Sequence, residues 1–251
     1  MKHIIITGTS RGIGESLAEQ LIDKNHHLIC ISRTTNQRII DQAKKMDCSL
    51  DYCNYDLTNI GEIDQLLEDV FNRIALYSNH EAIYLINNAA MLGPVSPIER
   101  IASEKITENI HLNLLAPMII TSNYLKLTKN MNVDKRILNI SSASAKYLLP
   151  SQSCYSTAKA GLDSFTKSVD IEQKLATYPA KITAVYPGMI DTNLQSEIRS
   201  VSNDLFPYVS EFIRISEEGK LQTPEYTAQR LIEILFGEDF GKTVVLESID
   251  S

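Results

Sequence analysis

The sequence predicts an α/β fold: a single parallel seven-stranded sheet, doubly wound, with helices on both faces. Three observations predict it. Short β-branched runs alternate with longer helical patterns along the whole chain, several of those runs are apolar throughout, and a glycine-rich turn follows the first run directly. Such alternation requires right-handed βαβ crossovers, which place helices on both sides of the sheet. The 251 residues fit one such domain, spanning 1–251, with no repeat, low-complexity tract or linker to divide it.

The first strand is "HIIIT" (3–7), followed by "GESLAEQLIDK" (14–24), where Leu17, Ala18, Leu21 and Ile22 recur at helical spacing. "LICIS" (28–32) is the second strand and "NQRIIDQAKKM" (36–46) the next helix. A weaker strand, "LDYCNYD" (50–56), precedes "IGEIDQLLEDVFNRIAL" (60–76), whose apolar stripe is clear. "AIYLIN" (82–87) and "RILNIS" (136–141) read as buried central strands, and "KITAVYP" (181–187) and "KTVVLE" (242–247) complete the seven. Long helices fall at about 104–128 and 153–176, with a last one at about 225–236. Residues 189–223 are too many for an ordinary βα loop of ~2–6 residues and are expected to cover a substrate.

Composition narrows the function. No apolar run approaches the ~18–20 residues of a membrane span, and the run after Met1 is too short for a secretory signal, so a cytoplasmic protein is expected. A net charge of −7 without a basic stripe argues against nucleic-acid binding. Cys30, Cys48, Cys53 and Cys154 form no CxxC pair and are expected as free thiols. The histidines lack metal-ligand spacing, so no metal site is expected, and His26 and His27 are expected in a turn or a helix cap.

The glycine turn reads "TGTSRGIG", with Gly8, Ser10, Arg11, Gly12, Ile13 and Gly14 after the first strand. Glycines there let backbone approach a pyrophosphate whose charge rests on a helix N-terminus; the alternative is a tight turn alone, and the place directly after the first strand favours a Rossmann-type dinucleotide site. The second strand ends in Ser32 and Arg33, where an NAD enzyme usually carries an acidic residue for the ribose 2′-hydroxyl. Guanidinium groups at Arg33 and Arg11 suit a 2′-phosphate, which favours NADPH/NADP+ over the alternative that both arginines are merely solvated.

"CYSTAKAG" (154–161) places Tyr155 and Lys159 one helical turn apart, and Ser142 ends a central strand thirteen residues earlier. In an open parallel sheet, ligands bind beyond the carboxyl ends of the strands, so strand end and helix start can share one crevice. The sequence resembles the short-chain dehydrogenase/reductase family in "TGTSRGIG", "NNAA" (87–90), "NISS" (139–142), "YSTAK" (155–159) and "YPGMIDTNL" (186–194), in the family's order and spacing. The resemblance implies Ser142 as donor to the substrate carbonyl, Tyr155 as general acid, and Lys159 as the ammonium that lowers the tyrosine pKa. It implies Asn113 as a fourth catalytic residue supporting a water relay. It also implies cofactor contacts from Asp56 and Leu57, from Asn87, Asn88 and Ala89, and from Pro187, Gly188, Ile190 and Thr192. Ala90 departs from the family's usual glycine.

The 189–223 segment carries Met189, Leu194, Ile198, Phe206, Tyr208 and Phe212, an apolar and partly aromatic wall suited to a bulky aromatic ketone. "DTNLQSEIRS" and "FIRISEEGKLQTPEY" resemble the same region of bacterial benzil reductases, the sepiapterin-reductase-like branch of the family. The resemblance implies an NADPH-dependent carbonyl reductase acting on one carbonyl of an aromatic α-diketone or a pterin-like dicarbonyl. Glu247 and Asp250 are candidates for anchoring a pterin by location alone. The alternatives are a 3-oxoacyl thioester reductase, against which the acidity and apolar lid argue, and a non-catalytic NADPH sensor, which has no need of Ser142, Tyr155 and Lys159. Apolar residues on more than one face of the helices at 104–128 and 153–176 (Leu112, Leu115, Ile119 and Ile120; Leu162, Phe165 and Val169) fit the family's helical dimer interface, so a homodimer is expected.

Overall fold

Alternate residues of a strand go to opposite faces, and the computed structural model, which describes residues 1–250, shows where each set is buried. The strands are β1 (Lys2–Thr7), β2 (His26–Ser32), β3 (Ser49–Asn54), β4 (Ala82–Asn87), β5 (Asp134–Ile140), β6 (Lys181–Val185) and β7 (Val245–Leu246). All pair in parallel in the order β3-β2-β1-β4-β5-β6-β7, so the order reverses between β1 and β4. That reversal opens a crevice at the carboxyl ends of the strands.

The helices are α1 (Gly12–Gln20), α2 (Gln37–Lys45), α3 (Ile63–Ile74), α4 (Ser103–Ile110), α5 (Ala116–Thr128), α6 (Ser153–Gln173), α7 (Asn193–Arg199), α8 (Val209–Glu217) and α9 (Pro224–Phe236). Ile4, Ile6, Leu28, Cys30, Tyr84 and Ile86 pack into one core with Leu17 of α1, Ile39 of α2 and Leu231 of α9. Their neighbours Ile5, Ile29, Ile31, Ile83 and Leu85 pack into a second core with Leu67 of α3, Tyr124 of α5 and Val169 of α6. Both faces are covered, which is why the central strands read as continuous apolar runs.

The structure corrects the sequence reading of these elements in three places. The long helix expected over 104–128 is broken into α4 and α5 by a π-helical turn, His111–Leu115. Pro117 has no N–H to donate back to the Asn113 carbonyl, so the α-helical ladder cannot run through that point. His26 and His27 lie in β2, not in a cap or turn, and His27 is 1% exposed. A buried imidazole is tolerated there because its Nε2 faces Asp51 at 2.9 Å and its Nδ1 faces His3 at 3.0 Å. The last strand is two residues rather than six, as suits an edge with a single neighbour. Within 189–223 the chain forms α7 and α8, and its two ends are clipped by a bridge between Ile190 and Gln222. Phe206, fully buried, anchors this segment in a small cluster with Leu92, Ile198, Val209 and Tyr155.

Candidate active site

The glycine turn has a steric reason for each glycine. Gly8 and Gly12 adopt φ of +76° and +61°, which L side chains rarely accept. A Cβ on Gly14 would lie 2.1 Å from the Gly8 carbonyl oxygen, so α1 can cross the turn only with glycine there. No side chain caps the N-terminus of α1, and its first N–H groups remain available to an anion at the crevice. The turn is braced by Asn88, whose Nδ2 donates to the carbonyls of Thr7 (2.9 Å) and Gly8 (3.2 Å). Thr7 Oγ1 in return accepts from the backbone N–H groups of Asn88 and Ala89, each at 3.0 Å. Ala90 stands without strain, because the only non-glycine residues with positive φ among those described are Asp47 and Ser151.

At the carboxyl end of β5, Ser142 Oγ accepts from the Ser144 N–H at 3.1 Å, which leaves its own hydroxyl hydrogen free to donate. Tyr155 opens α6 and is 8% exposed. Lys159, one turn on and 2% exposed, donates from Nζ to the Ile140 carbonyl at 2.8 Å, and its ammonium sits 5.7 Å from the Tyr155 ring centre. Burial lowers the Lys159 pKa to about 8, while the Asp163 charge works the other way. Asp163, one further turn along α6, accepts from Ser141 Oγ at 2.6 Å and from Tyr186 OH at 2.5 Å, which satisfies a buried carboxylate. The Tyr155 pKa is raised, not lowered as the sequence reading expects. Burial dominates, the Ser142 hydroxyl opposes it, and the Lys159 ammonium is turned toward Ile140.

These groups line one cavity of about 940 Å³ that runs from the glycine turn past Ser142, Tyr155 and Lys159 to the α7 and α8 segment. Every expected catalytic and cofactor-contacting residue lines it except Asn87 and Asn113, and of the expected apolar wall Phe206 and Tyr208 do not: Phe206 is buried in the cluster beneath and Tyr208 is exposed. Asn87 turns inward, donating from Nδ2 to Asn139 at 2.9 Å and Thr121 at 3.2 Å. Asn113 lies in the π-helical turn, where its side chain holds both the N–H and the carbonyl of Met91, at 3.1 and 2.8 Å. Both border a separate cavity of about 10 Å³ that also touches Lys159. Arg11 and Arg33 line the large cavity, and neither guanidinium is engaged by an acidic or carbonyl partner among the described residues. Ser32 is less free: its hydroxyl is tied to the Thr34 carbonyl and the Tyr52 hydroxyl.

Sequence reasoning missed part of the substrate end. Tyr147, Leu148 and Leu149 of the β5–α6 loop, Leu92, and Gln195 of α7 all line the cavity. The signal was present in "KYLLP": three large apolar or aromatic residues in a loop between Ser142 and Tyr155, of which Tyr147 and Leu148 are 61% and 72% exposed. The pterin-anchor candidates lie elsewhere. Glu247 is paired with Lys146 at 2.7 Å, and Asp250 accepts from Tyr226 OH at 2.7 Å; neither lines the cavity.

Residues 2–203 match the short chain dehydrogenase family. Over 246 residues the chain is 39% identical to a benzil reductase ((S)-benzoin forming) of Bacillus cereus, covering 98% of each chain. It is 32% identical over 235 residues to the protein of that name from Bacillus subtilis (strain 168), covering 94% of this chain and 93% of the other. Among solved structures, that of levodione reductase superposes with a TM-score of 0.83 at 18% identity, over 99% of this chain and 95% of its own, a likeness of fold.

Proposed function

This chain belongs to the short-chain dehydrogenase family, and we propose that within it the protein is an NADPH-dependent reductase of one carbonyl of an aromatic α-diketone of the benzil type. That it is an oxidoreductase acting on carbonyl or alcohol groups follows from the family and from its benzil reductase relatives. The observation that carries the finer reading is that Ser142, Tyr155 and Lys159 share one cavity with the glycine turn, under a largely apolar wall. The residues fit a nicotinamide dinucleotide: the glycine turn and uncapped α1 suit a pyrophosphate, and the unpaired Arg11 and Arg33 suit a 2′-phosphate. Asp56 at the adenine side, with Leu57, Asn88 and Ala89, and Pro187, Gly188, Ile190 and Thr192 at the other end, border the same groove.

When bound, the reduced nicotinamide supplies a hydride to the carbonyl carbon. Tyr155 gives its proton to the carbonyl oxygen, and the free hydroxyl hydrogen of Ser142 stabilises the charge developing there. Lys159 holds a positive charge beside the tyrosine. Asn113 and Lys159 both border the small adjoining cavity, close to the volume of one water, which offers a path for returning a proton to Lys159. Four unpaired cysteines support action in a reducing compartment such as the cytoplasm, and no helix among the described residues is long and apolar enough to cross a membrane. The test is NADPH oxidation measured across benzil, simple ketones, a pterin and acetoacetyl thioester. Turnover is expected to be highest with benzil and lower with NADH than with NADPH; preference for the thioester overturns the substrate reading.

A further inference from the structure

Leu92, Leu149, Leu194, Ile198 and Phe212 form an apolar wall of the cavity, clustered with Tyr155. Among the polar side chains that border it, one is buried with its carboxamide unpaired. Gln195 lies on α7 beside Leu194 and three residues before Ile198, lines the cavity, and is 7% exposed. Its Oε1 is fully buried without a hydrogen-bond partner, and its Nε2 has no protein partner either. The neighbouring Arg199 reaches only the Gln195 backbone carbonyl, at 3.2 Å, so it does not satisfy the amide. An unpaired carboxamide in an apolar wall costs stability, and packing gives no reason for it, since leucine would fill the same volume. Neither end of the amide is tied, so it can present whichever end a ligand requires.

We propose that Gln195 is a specificity-determining residue that donates its amide N–H to the second, non-reacting carbonyl of a dicarbonyl substrate. The inference rests on the diketone reading above and assigns the two oxygens of that substrate. One oxygen meets Ser142 and Tyr155, where the proton is delivered. The other, an acceptor with no hydrogen of its own, selects the N–H end of Gln195. A monoketone of the same shape leaves the amide unpaired, and a site built to pair a polar group discriminates against the analogue that lacks it.

The test compares kcat/KM for benzil with that for deoxybenzoin, in which a methylene replaces the second carbonyl, in the full-length enzyme and in Gln195→Leu and Gln195→Met. Gln195→Met keeps the side-chain length and flexibility while removing the N–H donor, and serves if the leucine variant folds poorly. Both variants are expected to lower the ratio of benzil to deoxybenzoin kcat/KM by about ten-fold or more. The NADPH Kd, followed by nicotinamide fluorescence, is expected to match the parent's. Equal losses on both ketones, or a weakened NADPH Kd, overturn the assignment and give the amide to the pocket shape or to the cofactor. A parent enzyme that reduces other carbonyls but not benzil overturns the diketone reading itself, a result visible before any variant is made.

Discussion

Tyr155 is buried at the head of α6 with its pKa above the ordinary tyrosine value, so it stays protonated and able to donate at neutral pH. Tyr155→Phe is expected to reduce kcat by ~10²–10⁴ while NADPH binding persists, as steady-state kinetics and fluorescence titration will show. Asp163 tests the electrostatics of the same helix. With Lys159 near 8, loss of the ammonium with rising pH is expected to end activity on the alkaline side. Asp163→Asn removes the charge that favours the ammonium, so the alkaline limb of kcat/KM should move to lower pH by roughly one unit. An unmoved limb would show that Asp163 only holds Ser141 and Tyr186 in place. Arg33→Ala should cut the preference for NADPH over NADH by roughly ten- to a hundred-fold, because only NADPH loses a charge-assisted contact. Equal weakening of both cofactors would make the arginine structural.

At the scale of elements, α5 and α6 are divided between the chain's own core and its surface. Ile120, Leu162 and Val169 are buried, whereas Leu112, Leu115, Ile119 and Phe165 remain half-buried, three of them (Leu112, Ile119 and Phe165) at the margin of the core. Ser164, Ser168 and Ile171 are exposed on α6, with Ile171 at 64%. A helix face left apolar in this way supports a second copy as its partner, and a two-fold homodimer is the arrangement proposed. Light scattering at micromolar concentration is expected to give about twice the single-chain mass of 28.1 kDa. Ile119→Glu should move the mass toward one chain; a parent that already scatters as one chain across dilution removes the proposal.

At the scale of the whole molecule, three histidines tie the far end of the sheet together. His80 Nδ1 lies 3.1 Å from His3 Nε2, His3 Nδ1 lies 3.0 Å from His27 Nδ1, and His27 Nε2 lies 2.9 Å from Asp51, which Arg73 also holds. With an N–H of His27 on Asp51, each remaining contact has one donor and one acceptor only if the His3 and His27 rings are neutral. Burial first, then the charges of His27, His80 and the N-terminal amine, lower the His3 pKa from 6.5 to about 4, and burial also lowers that of His27. The unfolded chain therefore binds more protons than the folded one between those values, so stability rises with pH across that window. Stability is expected to be fully present above about 6.5 and to fall by on the order of 2–3 kcal/mol as pH drops toward 4. Denaturant titrations at a series of pH values will measure it, and His3→Phe should flatten the slope.

Much of this was legible in the residues themselves. Short continuous apolar runs, the glycines at 8, 12 and 14, and the spacing of Tyr155 from Lys159 are local patterns, and backbone sterics and helical geometry act on them wherever they occur. The sequence alone thus determined the α/β class, the place of the dinucleotide turn and the family. Tertiary structure decided what depends on neighbours distant in the chain. Pro117 breaks a helix whose pattern runs on, and His27 is stable in a buried strand because residues 3 and 51 supply its partners. Tyr155 has its pKa raised rather than lowered because burial outweighs a lysine turned toward Ile140. Asn87 faces inward to Asn139 and Thr121. Gln195 reads as an ordinary helical amide until the fold encloses it in an apolar wall without a partner. Local sterics are written into a segment, whereas desolvation and hydrogen-bond satisfaction exist only once the rest of the chain surrounds it.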